Sequence, residues 1–331
     1  MNLLNSLHEA ALPGDAAAET AGAWTPPLTE TDVAIGQIGD FLFDFSVETT
    51  PGEVAKTDSF GAYLPPATRV YIAFIPGTDY GRVVEAAKRL RQDGMVPVPH
   101  IAARSTPNAG WLDEQLARLT GEAGVDQILL VGGGVDRPVG DFNNSMQVLR
   151  TGLLERRGIY RVGLAAHPEG SREIGDAGVA EALADKNAYA AQSEATFYLV
   201  TQFCFEAAPI IAWDKAIREA GNRLPVHIGL PGCATLKTLI RYAALCGVGN
   251  SAKVLSKQAM RISRLAKTAT PDKLVLDLAR HRAENPDCGV RHAHFFPFGA
   301  LERTASWARA SADGSLTLRP KGRGFTVAGF D

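Results

Sequence analysis

The chain is poor in cysteine, nearly neutral in charge and free of long apolar runs. Only four of its 331 residues are cysteines, and none forms a C-x-x-C pair or a zinc-ligand spacing. Scattered thiols of this kind favour a reducing compartment. The formal net charge of -2 gives no general attraction to nucleic acid or to an anionic membrane. No apolar run approaches the length that crosses a bilayer, and the first residues make a poor signal peptide. We therefore expect a soluble, cytoplasmic protein.

Eight short apolar runs alternate along the chain with segments whose apolar residues recur at the helical period. Segments such as "GRVVEAAKRLRQDG" and "GWLDEQLARLTGEAG" have this period and end at a glycine, as many helices do. Strands that alternate with helices in this number and over this length favour a single (β/α)8 barrel, a parallel α/β fold. The runs occupy residues 41–48, 69–75, 96–103, 127–133, 160–166, 197–205, 225–230 and 291–298.

We divide the chain into three parts. Residues 1–35 are rich in Ala, Pro, Thr and acids, which predicts an N-terminal arm or linker with one short helix. Residues 36–312 form the predicted barrel, and its last interval holds three helical patterns, at residues 235–247, 251–266 and 271–281. Residues 313–331 form a C-terminal extension, predicted to be a hairpin that turns near Lys321 and Gly322.

The first apolar run, "FLFDFSVE", carries two carboxylates. Alternation of period two places Asp44, Ser46 and Glu48 on one face of a predicted strand. Either that face lies in water at a sheet edge, or it faces a site. In a (β/α)8 barrel the functional residues lie at the C-terminal ends of the strands, which makes Glu48 a candidate catalytic residue.

Other predicted strand ends also carry polar groups or glycines. His100 lies in the C-terminal half of the run at residues 96–103, where it is either a hydrogen-bonded core residue or a catalytic one. The glycines of "LLVGGGVDRP" either let a ligand approach the backbone closely or belong to a glycine-rich loop without a binding role. The run matches neither of the two common nucleotide-binding fingerprints. No nucleophile triad can be assembled by spacing. His292 and His294 share a face without an acidic or thiol partner at ligand spacing, so we predict no metal site.

Several side chains suit a planar heterocycle. The Gln202 amide both donates and accepts hydrogen bonds, as recognition of a heterocycle edge demands. Aromatic rings at four positions either stack on such a ligand or belong to the core. These rings are Phe205, Tyr242, Phe295 and Phe296.

Five stretches in the same order carry a family likeness. They are "FSVETTPGE", "VPHIAA", "ILLVGGGVDRP", "GLAAHPEGSRE", and "VTQFCFE" followed by "GLPGCATLKTLIRYAALCGV". From about residue 43 to about residue 303, the chain resembles methylenetetrahydrofolate reductases, which are (β/α)8 barrels. The resemblance implies an oxidoreductase that interconverts 5,10-methylenetetrahydrofolate and 5-methyltetrahydrofolate, a reaction of one-carbon metabolism.

The resemblance also implies roles for individual residues. Glu48 matches the family's catalytic glutamate, a general acid that protonates the departing amine nitrogen. Gln202 and Tyr242 match positions that contact the pterin; Phe205 is predicted to bind substrate because of its aromatic ring and not because of the resemblance. His100 matches the histidine at the polar edge of the flavin ring. Ala165, His167 and Glu169 match the loop that lines the cofactor groove.

The chain departs from the family where the cofactor phosphates bind. The family's "R-G-D", whose aspartate helps to bind folate and to tune the flavin, is replaced by Gly132, Gly133 and Gly134, so that role is either moved to the nearby Asp136 or lost. In the family, a segment with several basic residues binds the flavin phosphates. Of these basic residues only Lys186 remains in this chain. Two routes for the hydride stay open, through FAD in a flavoprotein or directly from NADH or NADPH.

Two other functions stay open. One is a folate-binding or regulatory barrel without redox activity, and the other is a methyltransferase that uses methyltetrahydrofolate. Each reading has a small tetrahydrofolate derivative as its ligand. The apolar helix "GWLDEQLARL" would permit a homo-oligomer.

Overall fold

The structure, a computed structural model, describes residues 28–171, 173–246 and 268–330. Eight parallel strands close into a barrel and neighbour one another in the order β1-β10-β7-β6-β5-β4-β3-β2, which confirms the predicted (β/α)8 architecture. The barrel strands are β1 (Ser46–Thr49), β2 (Arg69–Ile72), β3 (Val96–Ala102), β4 (Gln127–Val131), β5 (Arg161–Ala166), β6 (Thr196–Phe203), β7 (Val226–Pro231) and β10 (Val290–Phe296).

Helices follow the strands. The helical patterns predicted at residues 81–94, 110–124, 235–247 and 271–281 all correspond to helices, whereas the pattern at residues 251–266 lies outside the described residues. The helices are α1 (Glu30–Leu42), α2 (Pro51–Val54), α3 (Gly81–Gln92), α4 (Ala109–Ala123), α5 (Ser145–Leu149), α6 (Leu153–Arg156), α7 (Gly175–Ala190), α8 (Ala207–Glu219), α9 (Leu236–Leu245), α10 (Asp272–Glu284) and α11 (Leu301–Ala312).

Local signals explain where a typical helix begins and ends. The Asn108 side chain accepts a hydrogen bond from the Trp111 backbone N–H and so caps the start of α4. Gly124 ends α4 with a φ of 57°, a left-handed conformation that glycine adopts without strain. These ends set the direction in which the chain enters β4, one of the strands that shape the barrel.

The first apolar run is not a strand over its whole length, so that prediction is wrong for residues 41–45. Helix α1 continues to Leu42 because Thr29 and Asp32 form a capping box and because Ala34, Ile38 and Phe41 are buried at helical spacing. Strand β1 begins only at Ser46. The alternation of apolar residues therefore describes a helix end that runs into a strand.

Asp44 consequently does not share a face with Glu48. It has a φ of 58° and is exposed at the turn before β1. Its side chain accepts a hydrogen bond from the Arg69 guanidinium at 3.0 Å, and its backbone carbonyl accepts a second one at 2.8 Å. Asp44 thus fastens the turn to the start of β2, at the N-terminal end of the barrel.

The predicted C-terminal hairpin is confirmed. Its strands are β11 (Thr317–Leu318) and β12 (Phe325–Thr326), which pair antiparallel. Lys321 and Gly322 both have positive φ angles, of 60° and 65°, and turn the chain between them. A second small antiparallel sheet joins β8 (Ala234–Thr235) to β9 (Thr268–Ala269). Within the described residues, no helix has the length and apolar character to span a membrane.

Candidate functional site

One carboxylate and two imidazoles meet inside the barrel. The Glu48 Oε2 atom lies 3.5 Å from His100 Nε2 and 3.6 Å from His294 Nε2. These residues belong to β1, β3 and β10. Strand β1 pairs with β10 so that Ser46 faces His294 in the register, and residues two apart on a strand point to the same side. Glu48 and His294 therefore converge in the barrel interior.

The cluster is open on the Glu48 side and closed on the His294 side. The Glu48 side chain keeps 19% of its surface exposed, whereas the His294 side chain has 0% exposed. A ligand that enters at the C-terminal ends of the strands can therefore touch Glu48. It cannot reach His294 without displacing other side chains.

Ser46 fixes the orientation of the His294 ring. The Ser46 hydroxyl oxygen lies 2.9 Å from His294 Nδ1, and both side chains are fully buried. When the hydroxyl donates to Nδ1, the neutral ring carries its proton on Nε2, the atom that faces Glu48. Burial, reinforced by the charge of Arg69, lowers the pKa of His294 to about 3, so the ring is neutral at physiological pH.

His100 is also held in its neutral form. Burial lowers its pKa, although the nearby Glu48 opposes this effect. Within the described residues, neither His100 Nε2 nor His294 Nε2 has a hydrogen-bond partner. Their distances to Glu48 exceed the normal hydrogen-bond range of about 2.7–3.2 Å. Both rings therefore approach the carboxylate without compensating its charge fully.

Glu48 has the electrostatic character of a proton donor. Burial raises its pKa, and the His100 ring reduces the rise only in part. A carboxyl group among neutral partners stays protonated at a higher pH than an ordinary glutamate does. The same carboxyl reaches the mouth of the barrel, so the arrangement presents a weak acid to a bound ligand.

Tyrosine and histidine rings fill the barrel below this cluster. The Tyr71 and Tyr198 hydroxyl oxygens lie 2.9 Å apart, and the Tyr71 ring centre is 4.5 Å from that of His294. Tyr198 stacks on His227 at 4.3 Å. Burial raises the pKa of Tyr71 well above its usual value, so this layer is a neutral, packed floor.

Aromatic rings line one side of the mouth, and we call them the aromatic wall: Phe203, Phe205, Tyr242, Phe296 and Phe298. Phe203 contacts Phe205, Phe296 and Phe298 at centroid distances of 5.7, 5.3 and 4.9 Å. Tyr242 stacks on Phe298 at 4.5 Å with an interplanar angle of 27°. The predicted residues Phe205 and Tyr242 are thus both partly exposed parts of one apolar surface.

Gln202 and Phe296 connect this wall with the cluster. The Phe296 ring lies 4.9 Å from the His294 ring. Gln202 precedes Phe203 on β6 and is partly exposed, and its side-chain oxygen accepts a hydrogen bond from the Phe203 backbone N–H at 3.2 Å. The amide N–H groups of Gln202, and the second lone pair of its oxygen, can meet a ligand.

Arg104 organises the glycine-rich loop after β4. Its backbone N–H donates to the Gly132 carbonyl at 2.9 Å, and its guanidinium donates to the carbonyls of Val135 and Asp136 at 2.9 and 2.6 Å. Gly133 has a φ of 96°, which a side chain would strain. Asp136 is exposed, and its hydrogen bond from Arg104 uses the backbone carbonyl, so the predicted role of its carboxylate stays a prediction.

Lys186 reaches the end of β5 from α7 but is buried. Its Nζ donates to the Ala165 carbonyl at 2.6 Å, and the residue is 9% exposed. Burial lowers the pKa of Lys186 to about 8. Burial, together with the Lys186 charge, lowers the pKa of His167 to about 4. The partly exposed Glu169 lies in the same loop as His167.

Sequence reasoning found part of this site. The structure brings Glu48 and His100 together, as strand-end positions suggested. It adds His294 and Ser46, which the sequence analysis did not assign to catalysis. Phe295 does not face a ligand, because it is fully buried on the outer side of the barrel between Phe45 and Trp307, so its possible stacking role is wrong.

The cluster is not a preformed metal site. Among the described residues, Glu48, His100 and His294 do not bring three ligand atoms within 4.8 Å of one another. A tetrahedral metal holds its ligands closer than that, because each lies only about 2.0–2.3 Å from the ion.

No protein-family model matches the chain. Two solved structures are similar to it at low sequence identity. One is an uncharacterized protein from Clostridium thermocellum, described as binding two copies of 5-methyl-5,6,7,8-tetrahydrofolic acid. It is 12% identical with a TM-score of 0.48, and the match covers 81% of this chain and 98% of that one. The other, from Aquifex aeolicus VF5, is 13% identical with a TM-score of 0.39, covering 84% and 99%.

Proposed function

We propose that this protein is an oxidoreductase that interconverts 5,10-methylenetetrahydrofolate and 5-methyltetrahydrofolate, with Glu48 as general acid. The observation that carries the proposal is the raised pKa of the Glu48 carboxyl, which lies at the mouth of a closed barrel beside two neutral imidazoles. Glu48 is also the residue to which the resemblance to methylenetetrahydrofolate reductases assigns the acid.

The reaction needs one proton and one hydride. In the reducing direction the Glu48 carboxyl gives its proton to the departing amine nitrogen of the five-membered ring. The carbon–nitrogen bond breaks, its electron pair stays on that nitrogen, and the iminium carbon accepts a hydride to become the methyl group. In the oxidising direction the Glu48 carboxylate takes the proton back, so one residue is both acid and base.

The two histidines support the carboxylate that remains after proton transfer. With the His294 ring held by Ser46, Nε2–H points toward Glu48. His100 Nε2 lies at a similar distance on its own side. A shortening of either contact would give the new carboxylate a hydrogen bond, and such bonds often tighten only in the complex with substrate. The rings themselves stay neutral and move no proton.

The aromatic wall and Gln202 fit the substrate's pterin. Tyr242 and Phe205 offer partly exposed ring faces, and a flat heterocycle gains by stacking on such faces. The Gln202 amide N–H groups suit an acceptor on the heterocycle edge. These residues would orient the pterin so that its five-membered ring lies over Glu48.

Two basic side chains beside the predicted cofactor groove do not suit the diphosphate of a flavin. The Lys186 ammonium is buried against the Ala165 carbonyl, and the Arg104 guanidinium is bound to the carbonyls of the glycine-rich loop. Neither is presented to a phosphate. We therefore propose that NADH or NADPH acts as a second substrate and delivers its hydride directly to the iminium carbon.

An absorbance spectrum of the purified protein tests the hydride route. A protein that shows no flavin bands, ignores added FAD and oxidises NADH or NADPH only when methylenetetrahydrofolate is present supports direct transfer. A flavin spectrum that NADH bleaches and methylenetetrahydrofolate restores would replace direct transfer by a two-step route while leaving the proposed reaction intact.

Substitution Glu48→Gln tests the reaction itself. A neutral amide cannot deliver the proton, so we expect turnover to fall by about 10²- to 10⁴-fold, the usual contribution of a general acid. Glu53→Gln is the matched control, because Glu53 is a neighbouring glutamate whose pKa burial also raises, but its carboxyl accepts a hydrogen bond from the Thr49 hydroxyl instead. Equal turnover in both variants would refute the proposal, and folate binding without turnover in the wild type would leave a binding protein.

A further inference from the structure

Three potential metal ligands converge far from the mouth of the barrel. They are Asp214 on α8, His281 on α10, and Cys288 in the turn before β10, and one ligand atom of each lies within 4.8 Å of the others. Cys288 stands just before the first residue of β10, at the N-terminal end of that strand. Glu48 and the aromatic wall lie toward the opposite end, so this group is separate from the proposed active site.

Asp214 is a buried carboxylate with few donors. The residue is 1% exposed, and both of its oxygens accept from the same backbone N–H, that of Gly289, at 3.1 and 3.0 Å. A Cβ at position 289 would lie 2.3 Å from Asp214 Oδ1, so glycine is what lets the turn approach. Burial raises the pKa of Asp214. The buried Asp214 carboxylate therefore still has lone pairs that can bind a metal ion or accept further hydrogen bonds.

His281 and Cys288 complete the group with a nitrogen and a sulfur. His281 Nε2 is shielded from solvent and has no hydrogen-bond partner among the described residues. Its Nδ1 lies 3.2 Å from the side-chain amide nitrogen of Asn285, and that amide also donates to the His281 backbone carbonyl at 2.9 Å. Cys288 is buried, and its thiol has a weak contact at 3.8 Å with the Val290 carbonyl. The imidazole nitrogen therefore has no hydrogen-bond partner among the described residues, and the thiol has only the weak Val290 contact and an interaction with the Arg291 side chain.

We propose that Asp214, His281 and Cys288 form a zinc-binding site. One oxygen, one nitrogen and one sulfur are the donor types that Zn²⁺ takes from proteins, at about 2.0–2.3 Å each. Closing the three atoms around an ion requires shifts of about 1 Å or less. Thiolate and carboxylate together balance the charge of the ion, the thiol proton leaves to solvent, and water takes the fourth position.

The bound ion would tie three segments of the outer layer together. Helix α8, helix α10 and the turn into β10 each supply one ligand. Helices α8 and α10 already contact each other. Zinc at this point stabilises their packing and the entry of β10 into the barrel. The zinc ion would lie at the N-terminal end of β10, whereas His294 lies near the C-terminal end of the same strand.

The test is metal binding by the purified full-length chain, which is stripped with a chelator, reloaded with Zn²⁺ or Co²⁺ and then dialysed. We expect one tightly held Zn²⁺ per chain by elemental analysis and, with Co²⁺ as probe, a thiolate-to-cobalt charge-transfer band in the near ultraviolet. Cys288→Ser and His281→Ala should each weaken Zn²⁺ binding by about 100-fold or more, because loss of even an outer-shell partner of a ligand costs about 10- to 100-fold. Cys246→Ser is the control, because Cys246 is an exposed thiol outside the group.

Two results would overturn the proposal. The first is wild-type protein that retains neither ion after dialysis and shows no charge-transfer band. The second is a band that survives Cys288→Ser or disappears in Cys246→Ser. Circular dichroism of each variant without metal establishes that it is folded, and Asp214→Asn, which keeps the side-chain shape, replaces any variant that is not. Neither readout uses turnover, so the result is independent of the proposed reaction.

Discussion

The Ser46 hydroxyl lies 2.9 Å from Nδ1 of His294, and the same two residues face each other in the parallel register of β1 and β10. The pairing of two strands thereby determines which ring nitrogen of a buried histidine faces the Glu48 carboxyl. Ser46 is a positioning residue, because it acts on Glu48 only through the His294 ring. The link between backbone register and ring orientation gives the first two predictions.

Ser46→Ala should lower the free energy of unfolding by about 1–3 kcal/mol, because the buried Nδ1 of His294 loses its partner. Urea denaturation measures the change. Ser311→Ala is the matched control, since Ser311 is equally buried but its hydroxyl has no hydrogen-bond partner among the described residues. Removing an unpaired hydroxyl should change the free energy of unfolding only slightly. Equal losses in the two variants would contradict the assigned role of Ser46.

His294→Asn should flatten the dependence of stability on pH. The ring has a pKa of about 3 in the folded protein and of 6.5 when unperturbed. Between these two pKa values the unfolded chain binds a proton that the folded chain does not bind. The free energy of unfolding therefore falls as the pH drops from 6.5 toward 3. At about pH 5 the loss is about 2 kcal/mol.

Asparagine does not titrate, and it keeps an oxygen for the Ser46 hydroxyl. The difference in unfolding free energy between about pH 8 and about pH 5 should thus be about 2 kcal/mol smaller in His294→Asn than in the wild type. The smaller asparagine side chain also leaves a cavity, which lowers the free energy of unfolding equally at both pH values. This effect cancels when the two pH values are compared. Parallel curves for variant and wild type would show that His294 is not the group that titrates.

Tyr242→Ala should weaken binding of 5-methyltetrahydrofolate by about tenfold, the factor that corresponds to one stacked aromatic pair. Tyr242→Phe keeps the ring, its stacking on Phe298 at 4.5 Å and the Arg241 guanidinium 5.1 Å above it, so it should bind nearly as well as the wild type. Quenching of protein fluorescence measures both dissociation constants. A loss in the phenylalanine variant equal to that in the alanine variant would point to the hydroxyl instead of the ring.

The sequence predicts the barrel well because its strands and helices carry strong local signals. Helix α4, for example, has an asparagine that caps its start and a left-handed glycine at its end. The predicted start of β1 is wrong because the same residues fit both the period of a strand and the period of a helix. Phe41 and Phe45 fit an alternating strand, yet Ala34, Ile38 and Phe41 fit one face of a helix. Only the packing of α1 against α10 and α11 decides between them.

The site is predictable where one residue at a strand end suffices. Glu48 and His100 lie at such ends, and the structure brings them together. Ser46 and His294 matter because they face each other across two strands that are first and last in the barrel. The sequence alone does not give that register. The ligand group around Asp214 is harder still, since its members come from two helices and a turn.

The packed floor of the barrel has a consequence for the proposed catalytic cycle. Tyr71, Tyr198 and His227 are buried and touch one another below Glu48. After Glu48 has given its proton to the substrate, a fresh proton must arrive from the mouth, where the pterin lies. Recharging of the acid is then coupled to departure of the folate product, which makes product release and proton supply a single event in each turnover.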